Sequence, residues 1–193
     1  MYNKVRYNSF GEGIIFQFIL TYNNCYDCRR RVLHLDIHIR PRIAEDGDWI
    51  TEILLENWAS NIVVTRGISY EADQLPGFIA ERNKKRLGLL TYNINNDELE
   101  IITLNAIEEG KGVGTALLEE VEKLAKDRRC KRIWLITTND NVDALRFYQK
   151  RGYEIKSIHR YAIEESRKIK PQLPFVGKYG IPIRDEIEME KLI

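Results

Sequence analysis

The sequence predicts an α/β or α+β domain built on a mixed sheet, and two observations support this. Two largely apolar runs, 85–94 and 98–107, flank Asn95-Asn96-Asp97, whose residue types favour a turn, so the runs are predicted to form a hairpin. An amphipathic stretch, 112–128, and a further apolar run, 132–137, follow. A strand, a helix and a parallel strand in that order require a crossover connection, which makes the sheet mixed.

The other elements are predicted from hydrophobic periodicity. A short strand at Ile37 and Ile39 precedes a helix over 43–59, which has Ile50, Ile53, Leu54 and Trp58 on one face. The remaining predicted elements, in chain order, are strands at 62–64 and 77–80, a helix over 141–151 closed by Gly152, a strand over 153–163, helical tendency over 166–170 and a last edge strand around Ile187 and Met189.

Composition limits the class of protein. A chain of 193 residues with 44% hydrophobic residues can bury one core of ordinary size, so a single domain is expected. The net charge of +1 gives no electrostatic reason to expect a nucleic-acid partner. The longest uncharged apolar run, 13–22, is about half the length of a membrane span, and three cysteines do not indicate a disulfide framework. We therefore expect a cytoplasmic protein without a membrane partner.

Residues 1–36 differ from the rest of the chain. They are rich in aromatic residues and asparagine and show no sustained period after Tyr22. The predicted domain is therefore 37–193, and 1–36 is interpreted either as a flexible extension or as upstream sequence read into the protein, with a native start near Leu35. Cys25, Cys28 and His34, with His38 just beyond this segment, are metal-binding residue types without zinc-finger spacing, so no metal site is predicted.

A glycine-rich turn gives the first indication of function. Residues 109–115, Glu-Gly-Lys-Gly-Val-Gly-Thr, separate an apolar run from a helical pattern. Such a turn points unpaired N–H groups and the positive end of a helix dipole at one place, as a phosphate site requires. Two nucleotide motifs fit badly. Thr115 replaces the last glycine of the dinucleotide fingerprint, and Lys111 precedes Gly112 rather than the Ser or Thr of a Walker A loop.

A second motif extends this pattern. The stretch 141–148 reads Asn-Val-Asp-Ala-Leu-Arg-Phe-Tyr and is closed by Lys150-Arg151-Gly152-Tyr153. Together with the glycine turn and the opening Ile39-Arg40-Pro41, it resembles the GNAT superfamily of N-acetyltransferases over about 37–163, and more loosely to the end of the chain. In that family the cofactor site combines an Arg/Gln-x-x-Gly-x-Gly/Ala turn with an Asn-x-x-Ala-x-x-Phe/Tyr-Tyr helix. The resemblance implies a mainly antiparallel central sheet flanked by helices, with splayed strands at the cofactor site.

The resemblance also implies acetyl-CoA as co-substrate. The pyrophosphate would rest on backbone N–H groups of the turn, contributed by Gly110, Lys111, Gly112, Val113, Gly114 and Thr115. Backbone groups of Leu104 and Ala106 would pair with the pantetheine arm and the thioester. Asn141 and Ala144 share a helical face with Tyr148, so Asn141 would hold the arm where Tyr148 meets the sulfur. Glu109 replaces the family's Arg or Gln and is expected to weaken or reposition cofactor binding.

The acetyl transfer that the resemblance implies requires a base and a group beside the leaving sulfur. A lysine-like amine is uncharged in only about one part in 10³ at neutral pH, so a base, or a water chain leading to one, is expected. Glu100 stands four residues before Leu104, where some members of the family place a catalytic glutamate; the alternative is a solvated strand residue. Asp97 and Glu98 are rivals at the hairpin end. Tyr148 would hydrogen-bond the developing thiolate or donate its proton, which is uphill by about 2 kcal/mol at ordinary pKa values.

The predicted function is an N-acetyltransferase that moves an acetyl group from acetyl-CoA directly to a primary amine. The alternative is a non-catalytic acyl-CoA-binding sensor or regulatory module on the same fold. The acceptor would be a small-molecule or peptide amine, and its site would be shaped by residues 60–76 and 167–184. The prediction leaves open whether the protein forms a homodimer. Cys130 is predicted to be a buried residue rather than an acyl-accepting nucleophile, and His159 a structural one.

Overall fold

The computed structural model describes residues 37–108 and 110–193. The predictions for the extension 1–36, for its cysteines and for Glu109 lie outside the described residues. The elements are β1 His38–Pro41, α1 Gly47–Trp58, β2 Ile62–Thr65, β3 Ile68–Glu71, β4 Gly77–Arg82, β5 Lys85–Asn95, β6 Glu98–Ala106, α2 Val113–Asp127, β7 Arg132–Thr138, α3 Val142–Gln149, β8 Glu154–His159, α4 Ala162–Ile169 and β9 Glu186–Leu192.

Seven strands form one sheet in the order β1-β4-β5-β6-β7-β9-β8, and β2 and β3 form a separate hairpin. Every neighbouring pair in the large sheet is antiparallel except β6 and β7, which are parallel and joined through α2. The predicted mixed and mainly antiparallel sheet is therefore confirmed. In the described part of the chain, no helix is long and apolar enough to cross a membrane.

The place of one predicted strand in the sheet and the end of another are wrong. The strand around Ile187 and Met189 is not at the edge, because β9 lies between β7 and β8. Glu186 and Glu188 of this strand are buried. The alternation of apolar and charged residues is typical of an edge strand, which explains the wrong prediction. The strand predicted over 153–163 ends at His159, because Tyr161 adopts a left-handed φ of 61° and α4 starts at Ala162. The strand β3 was not predicted.

A separate core lies on each face of the sheet. On the first face, α2 and α3 pack on strand side chains such as Leu99, Ile133 and Met189. On the second face, α1 buries Ile50 and Leu54 against strands β4, β5 and β6. We call these the α2 face and the α1 face.

Strand β6 carries a bulge at the point that positions the site. Its pairing with β5 shifts by one residue between Thr91 and Tyr92, which leaves Ile102 as the extra residue. Consequently Leu99 and Ile101 before the bulge, and Leu104 and Ala106 after it, all pack on the α2 face. The pairing of β6 with β7 ends at Ile101 and Leu135, although β6 continues to Ala106 and β7 to Thr138. Because a bulge bends its strand, the two strands separate here and a gap opens between them.

Candidate active site

The gap between β6 and β7 leads into a cavity of about 1330 Å³ on the α2 face. We call it the cofactor cavity. The structure brings most of the predicted cofactor residues together around it, namely Leu104, Ala106, Gly110, Gly112, Val113, Gly114, Thr115, Asn141 and Ala144, together with Tyr148. Two predicted residues are not in its wall: Lys111 is exposed to solvent, and Glu100 lies elsewhere.

Strand β6 turns unpaired backbone groups toward the gap. The N–H of Ile107 donates to the carbonyl of Leu87 at 2.9 Å. Bonded and non-bonded pairs alternate along an antiparallel ladder, so the next residues, Ala106 and Leu104, occupy non-bonded positions opposite Gly88 and Leu90. Their N–H and C=O groups therefore point away from β5, toward the place that β7 has left. An extended ligand can pair with them there.

The amino-terminal end of α2 forms the second wall of the cavity. Gly112 is the N-cap, with a left-handed φ of 85°, and no side chain caps the helix. The first intrahelical bond runs from the N–H of Ala116 to the carbonyl of Gly112, so the preceding N–H groups have no helical partner. A Cβ at Gly114 would lie 3.3 Å from the ring of Phe147, so glycine allows α3 to approach α2 closely. This geometry suits an anion.

A cation beside this helix end was missed by the sequence reasoning. Arg151 donates from Nη1 to the carbonyl of Phe147 at 2.7 Å and from Nη2 to Oγ1 of Thr115. Its guanidinium lies 3.6 Å from the ring centroid of Phe147. It is thus fixed against the first turn of α2, whereas Lys111 is not in the wall. The charged residues in the wall are the acidic Glu108 and Asp143 and the basic Arg146, Lys150, Arg151 and Lys178. The excess of positive charge favours a phosphate-bearing ligand.

Helix α3 positions Asn141 and Tyr148. The Oδ1 of Asn141 accepts from the N–H of Ala144 at 3.2 Å, so Asn141 is the N-cap of α3 and starts the helix as well as lining the cavity. Tyr148 is buried and makes edge contacts with Phe147 and Tyr153, at ring-centroid distances of 5.1 and 5.5 Å. Burial raises the pKa of Tyr148 well above its ordinary value, so its hydroxyl keeps its proton at neutral pH.

Glu100 lies on the α1 face, in the wall of a second cavity of about 410 Å³, which we call the acidic cavity. Glu100 is only 3% exposed, so the interpretation as a solvated strand residue is wrong. Its Oε1 accepts from Oγ1 of Thr65 at 2.8 Å and its Oε2 from the hydroxyl of Tyr70 at 2.9 Å. Burial raises the pKa of Glu100. Burial and the hydrogen bond to Glu100 together raise the pKa of Tyr70 to about 12.

The two cavities adjoin where β6 leaves β7. Ile101 and Ile102 line the cofactor cavity, and the preceding Glu100 lines the acidic cavity. The rivals Asp97 and Glu98 also line the acidic cavity, but they pair with Lys131 at 2.5 Å and with Arg132 at 2.8 Å. Of these three carboxylates, Glu100 is the one next to Ile101, where the pairing of β6 with β7 ends, and it is held by neutral donors.

Other residues of the acidic cavity were not singled out from the sequence. Trp134 lines it, with the guanidinium groups of Arg66 and Arg132 at 5.7 and 5.3 Å from its ring centroid. Arg66 and Gly67 form the tip of the β2–β3 hairpin with φ values of 50° and 75°, as a two-residue hairpin turn requires. The glycine was the available signal for this turn.

The two minor predictions have clear outcomes. Cys130 is buried, and burial raises the pKa of its thiol, which disfavours a nucleophilic role. His159 contacts a buried carboxylate, with its Nε2 at 3.1 Å from Oε2 of Glu188. Among residues 37–108 and 110–193, no three side chains of the metal-binding types form a cluster.

The sequence of this chain is similar to known proteins over more than half of its length. Residues 43–153 match the model of the acetyltransferase (GNAT) family. An uncharacterized Bacillus subtilis (strain 168) protein, YdhI, is 44% identical over 146 residues, which are 75% of this chain and 91% of YdhI.

Solved structures share the fold at low identity. A GNAT family acetyltransferase from Elizabethkingia anophelis with acetyl-CoA bound has a TM-score of 0.60 at 20% identity, with 82% of this chain and 99% of that chain covered. The ribosomal-protein-S18-alanine N-acetyltransferase from Escherichia coli has a TM-score of 0.58 at 18% identity, with 81% and 94% covered.

Proposed function

This chain is a member of the acetyltransferase (GNAT) family, and we propose that it transfers an acetyl group from acetyl-CoA directly to a primary amine. The observation that supports this best is the separation of β6 from β7. It creates a gap with the uncapped start of α2 on the α2 face and the buried carboxylate of Glu100 on the α1 face. A phosphate-bearing thioester and an amine could therefore meet from opposite faces of one sheet.

The cofactor cavity supports acetyl-CoA as the co-substrate, which would supply the reactive thioester. The bare N–H groups at the start of α2 would hold its pyrophosphate, with Arg151 as the neighbouring cation. The backbone groups of Leu104 and Ala106 would pair with the pantetheine arm. The Elizabethkingia anophelis structure has acetyl-CoA bound on the same fold.

Glu100 is proposed as the general base, directly or through a water. Its raised pKa brings a carboxylate closer to the range in which it accepts a proton efficiently. The lone pair of the neutral amine nitrogen attacks the thioester carbonyl carbon, an N–C bond forms and the C–S bond breaks. The surplus proton of the nitrogen passes to Glu100, and the sulfur leaves as a thiolate that becomes the free thiol of CoA on protonation.

Tyr148 is proposed to stabilise the leaving sulfur by a hydrogen bond. Its raised pKa makes complete proton transfer to the sulfur less favourable than at ordinary values. A donor that keeps its proton can still stabilise charge that develops in the transition state. Water would then supply the proton to the thiolate.

Thiol release from acetyl-CoA across a panel of primary amines tests the proposal, with mass spectrometry of the acetylated product. Amine-dependent release with a product heavier by one acetyl group is expected. The Escherichia coli enzyme of the same fold acetylates a protein alanine by its name, so a peptide amino terminus belongs in the panel. Acetyl-CoA binding without turnover on any amine would instead favour the non-catalytic sensor.

A further inference from the structure

We propose that the acceptor is a small primary amine that carries a second positive charge, and that Glu98 selects it by binding that charge. This rests on the proposed function and identifies its substrate class. The acceptor would lie along β6 in the acidic cavity, with its reacting nitrogen at Glu100 and its distal ammonium at Glu98.

The acidic cavity has the size and lining of a small-molecule site. Its volume of about 410 Å³ is within the usual range for such sites. Trp134 forms an aromatic wall, and the guanidinium groups of Arg66 and Arg132 already lie beside its ring, so the outer cation of the acceptor would be bound by carboxylate rather than by the ring. The polar lining consists of Thr65, Tyr70, Arg66, Asn93, Asn95, Asn96, Asp97, Glu98 and Glu100.

The two glutamates differ in exposure in the way that a diamine requires. Glu98 and Glu100 are alternate residues of one strand, so they share a face at a spacing of about 6.7 Å along it. The two nitrogens of a four-carbon diamine can span such a spacing. The Glu100 side chain is almost fully buried, whereas that of Glu98 is 40% exposed. A neutral reacting amine therefore suits the inner position and a hydrated ammonium suits the outer one.

The charge around the cavity is negative. Arg132 is shared by three carboxylates, with contacts of 2.8 Å to Glu98, 3.0 Å to Glu188 and 2.9 Å to Glu190. Glu100 and Glu186 accept hydrogen bonds only from neutral donors among the described residues. With Asp97 paired to Lys131, the remaining acidic residues outnumber the basic ones; they are Glu98, Glu100, Glu186, Glu188 and Glu190 against Arg66, Arg132 and Lys156.

Arg66 does not cancel this excess. Its backbone N–H donates to Glu186 at 3.1 Å, and its Nη1 lies 3.7 Å from Oε2 of Glu188. The guanidinium is therefore directed to β9 rather than to Glu98. A second ammonium at Glu98 would gain attraction from the uncompensated carboxylates, and an anionic acceptor would be repelled.

The step balances with one charge retained. The neutral inner nitrogen forms a bond to the acetyl carbon, the C–S bond breaks and the nitrogen's proton passes to Glu100. The product is an amide that keeps its outer ammonium.

Three matched acceptors test the proposal on the full chain: 1,4-diaminobutane, butylamine and 4-aminobutanoate. We expect kcat/KM to fall in that order, with the diamine preferred over butylamine by about fivefold, the ratio that one half-exposed ion pair supports. Glu98→Gln should remove this preference by lowering kcat/KM for the diamine to about the value for butylamine.

Glu190→Gln is the matched control. Glu190 also pairs with Arg132 but does not line the acidic cavity, so this variant should keep the diamine preference. Transfer to butylamine as fast as to the diamine, or a preference that survives Glu98→Gln, overturns the inference while the transferase function stands.

If no amine is acetylated, the transferase proposal fails and binding decides the inference. Calorimetric titration of the protein with 1,4-diaminobutane in the presence of CoA should then show binding that Glu98→Gln weakens and Glu190→Gln does not. Absence of binding, or equal weakening by both variants, overturns it.

Discussion

The two cavities that adjoin at β6 are built from different materials. The cofactor cavity uses backbone: the unpaired groups of Leu104 and Ala106 and the bare N–H groups at the start of α2. The acidic cavity uses ionisable side chains, with Glu98, Glu100 and Trp134 from two strands and Tyr70 from a hairpin outside the sheet. One strand serves both cavities.

This difference indicates that the cofactor cavity suits a ligand shared among relatives, whereas the acidic cavity suits a ligand particular to one protein. A backbone cradle keeps its shape when side chains change, so it suits a co-substrate that many related proteins share. A wall of side chains changes with single substitutions and can suit one acceptor. Variants on the α1 face should therefore alter turnover and acceptor choice, whereas variants of the turn should alter acetyl-CoA affinity.

The largest expected effect is on the α1 face. Glu100→Gln removes the proposed base and should lower kcat by about 10³-fold, within the range measured for general bases. Acetyl-CoA affinity, measured by calorimetry, should not change because Glu100 does not line the cofactor cavity. A loss of affinity equal to the loss of turnover would contradict the separation of the two cavities.

The pH profiles of the native protein and of Glu100→Gln provide a second test of Glu100 as the base. Burial raises the pKa of Glu100 above its ordinary value of 4.5, and a base acts in its deprotonated form. In the native protein, kcat/KM should therefore rise with pH through a carboxyl pKa higher than 4.5. That limb should be absent in Glu100→Gln, which leaves the limb of the acceptor amine at higher pH. A limb retained in the variant would assign the base to another group.

The next effect belongs to the turn. Gly112→Val places a β-branched side chain at a left-handed φ of 85° and should shift the N–H groups that are proposed to hold the pyrophosphate. Loss of one or two charge-assisted hydrogen bonds should weaken acetyl-CoA binding about 100-fold, with melting temperature as the control for folding. Lys111→Ala, at an exposed neighbouring position outside the wall, should change affinity less than about threefold. Equal effects would indicate that side-chain charge holds the phosphates.

The smallest effect is that of Tyr148→Phe. Loss of one hydrogen bond to the developing thiolate should lower kcat about tenfold, while acetyl-CoA affinity changes little. Steady-state kinetics and calorimetry on the same preparation measure both quantities. Unchanged turnover would remove Tyr148 from the mechanism.

The sequence predicted the cofactor cavity better than the acidic one, for a physical reason. A backbone cradle needs glycines at fixed spacing within one turn, and the N-cap Asn141 and Tyr148 lie within one short helix. Both patterns are local and therefore visible in the sequence. Arg151 was missed because its contact with Thr115 depends on how α3 packs against α2.

The acidic cavity joins segments that are distant in the chain. Thr65 and Tyr70 come from the β2–β3 hairpin, Glu100 from β6 and Trp134 from β7, and no periodicity links them. Charged residues are usually exposed, so the alternation of Ile187 and Met189 with glutamates predicted an edge strand, although β9 lies inside the sheet. Only the packed structure shows that these carboxylates are buried.

The bulge at Ile102 keeps the apolar side chains of β6 on one face of the sheet. Side chains on a strand alternate between faces, so Leu99, Ile101, Leu104 and Ala106 share the α2 face only because the bulge adds one residue between Ile101 and Leu104. If the same segment formed a regular strand and Leu99 and Ile101 kept their face, Leu104 and Ala106 would turn to the α1 face and Asn105 would enter the α2 core. That strand would have an unchanged composition, yet it could not line both cavities. Removal of Ile102 would instead leave all four apolar side chains on the α2 face, so comparisons between relatives must allow for one inserted residue in β6.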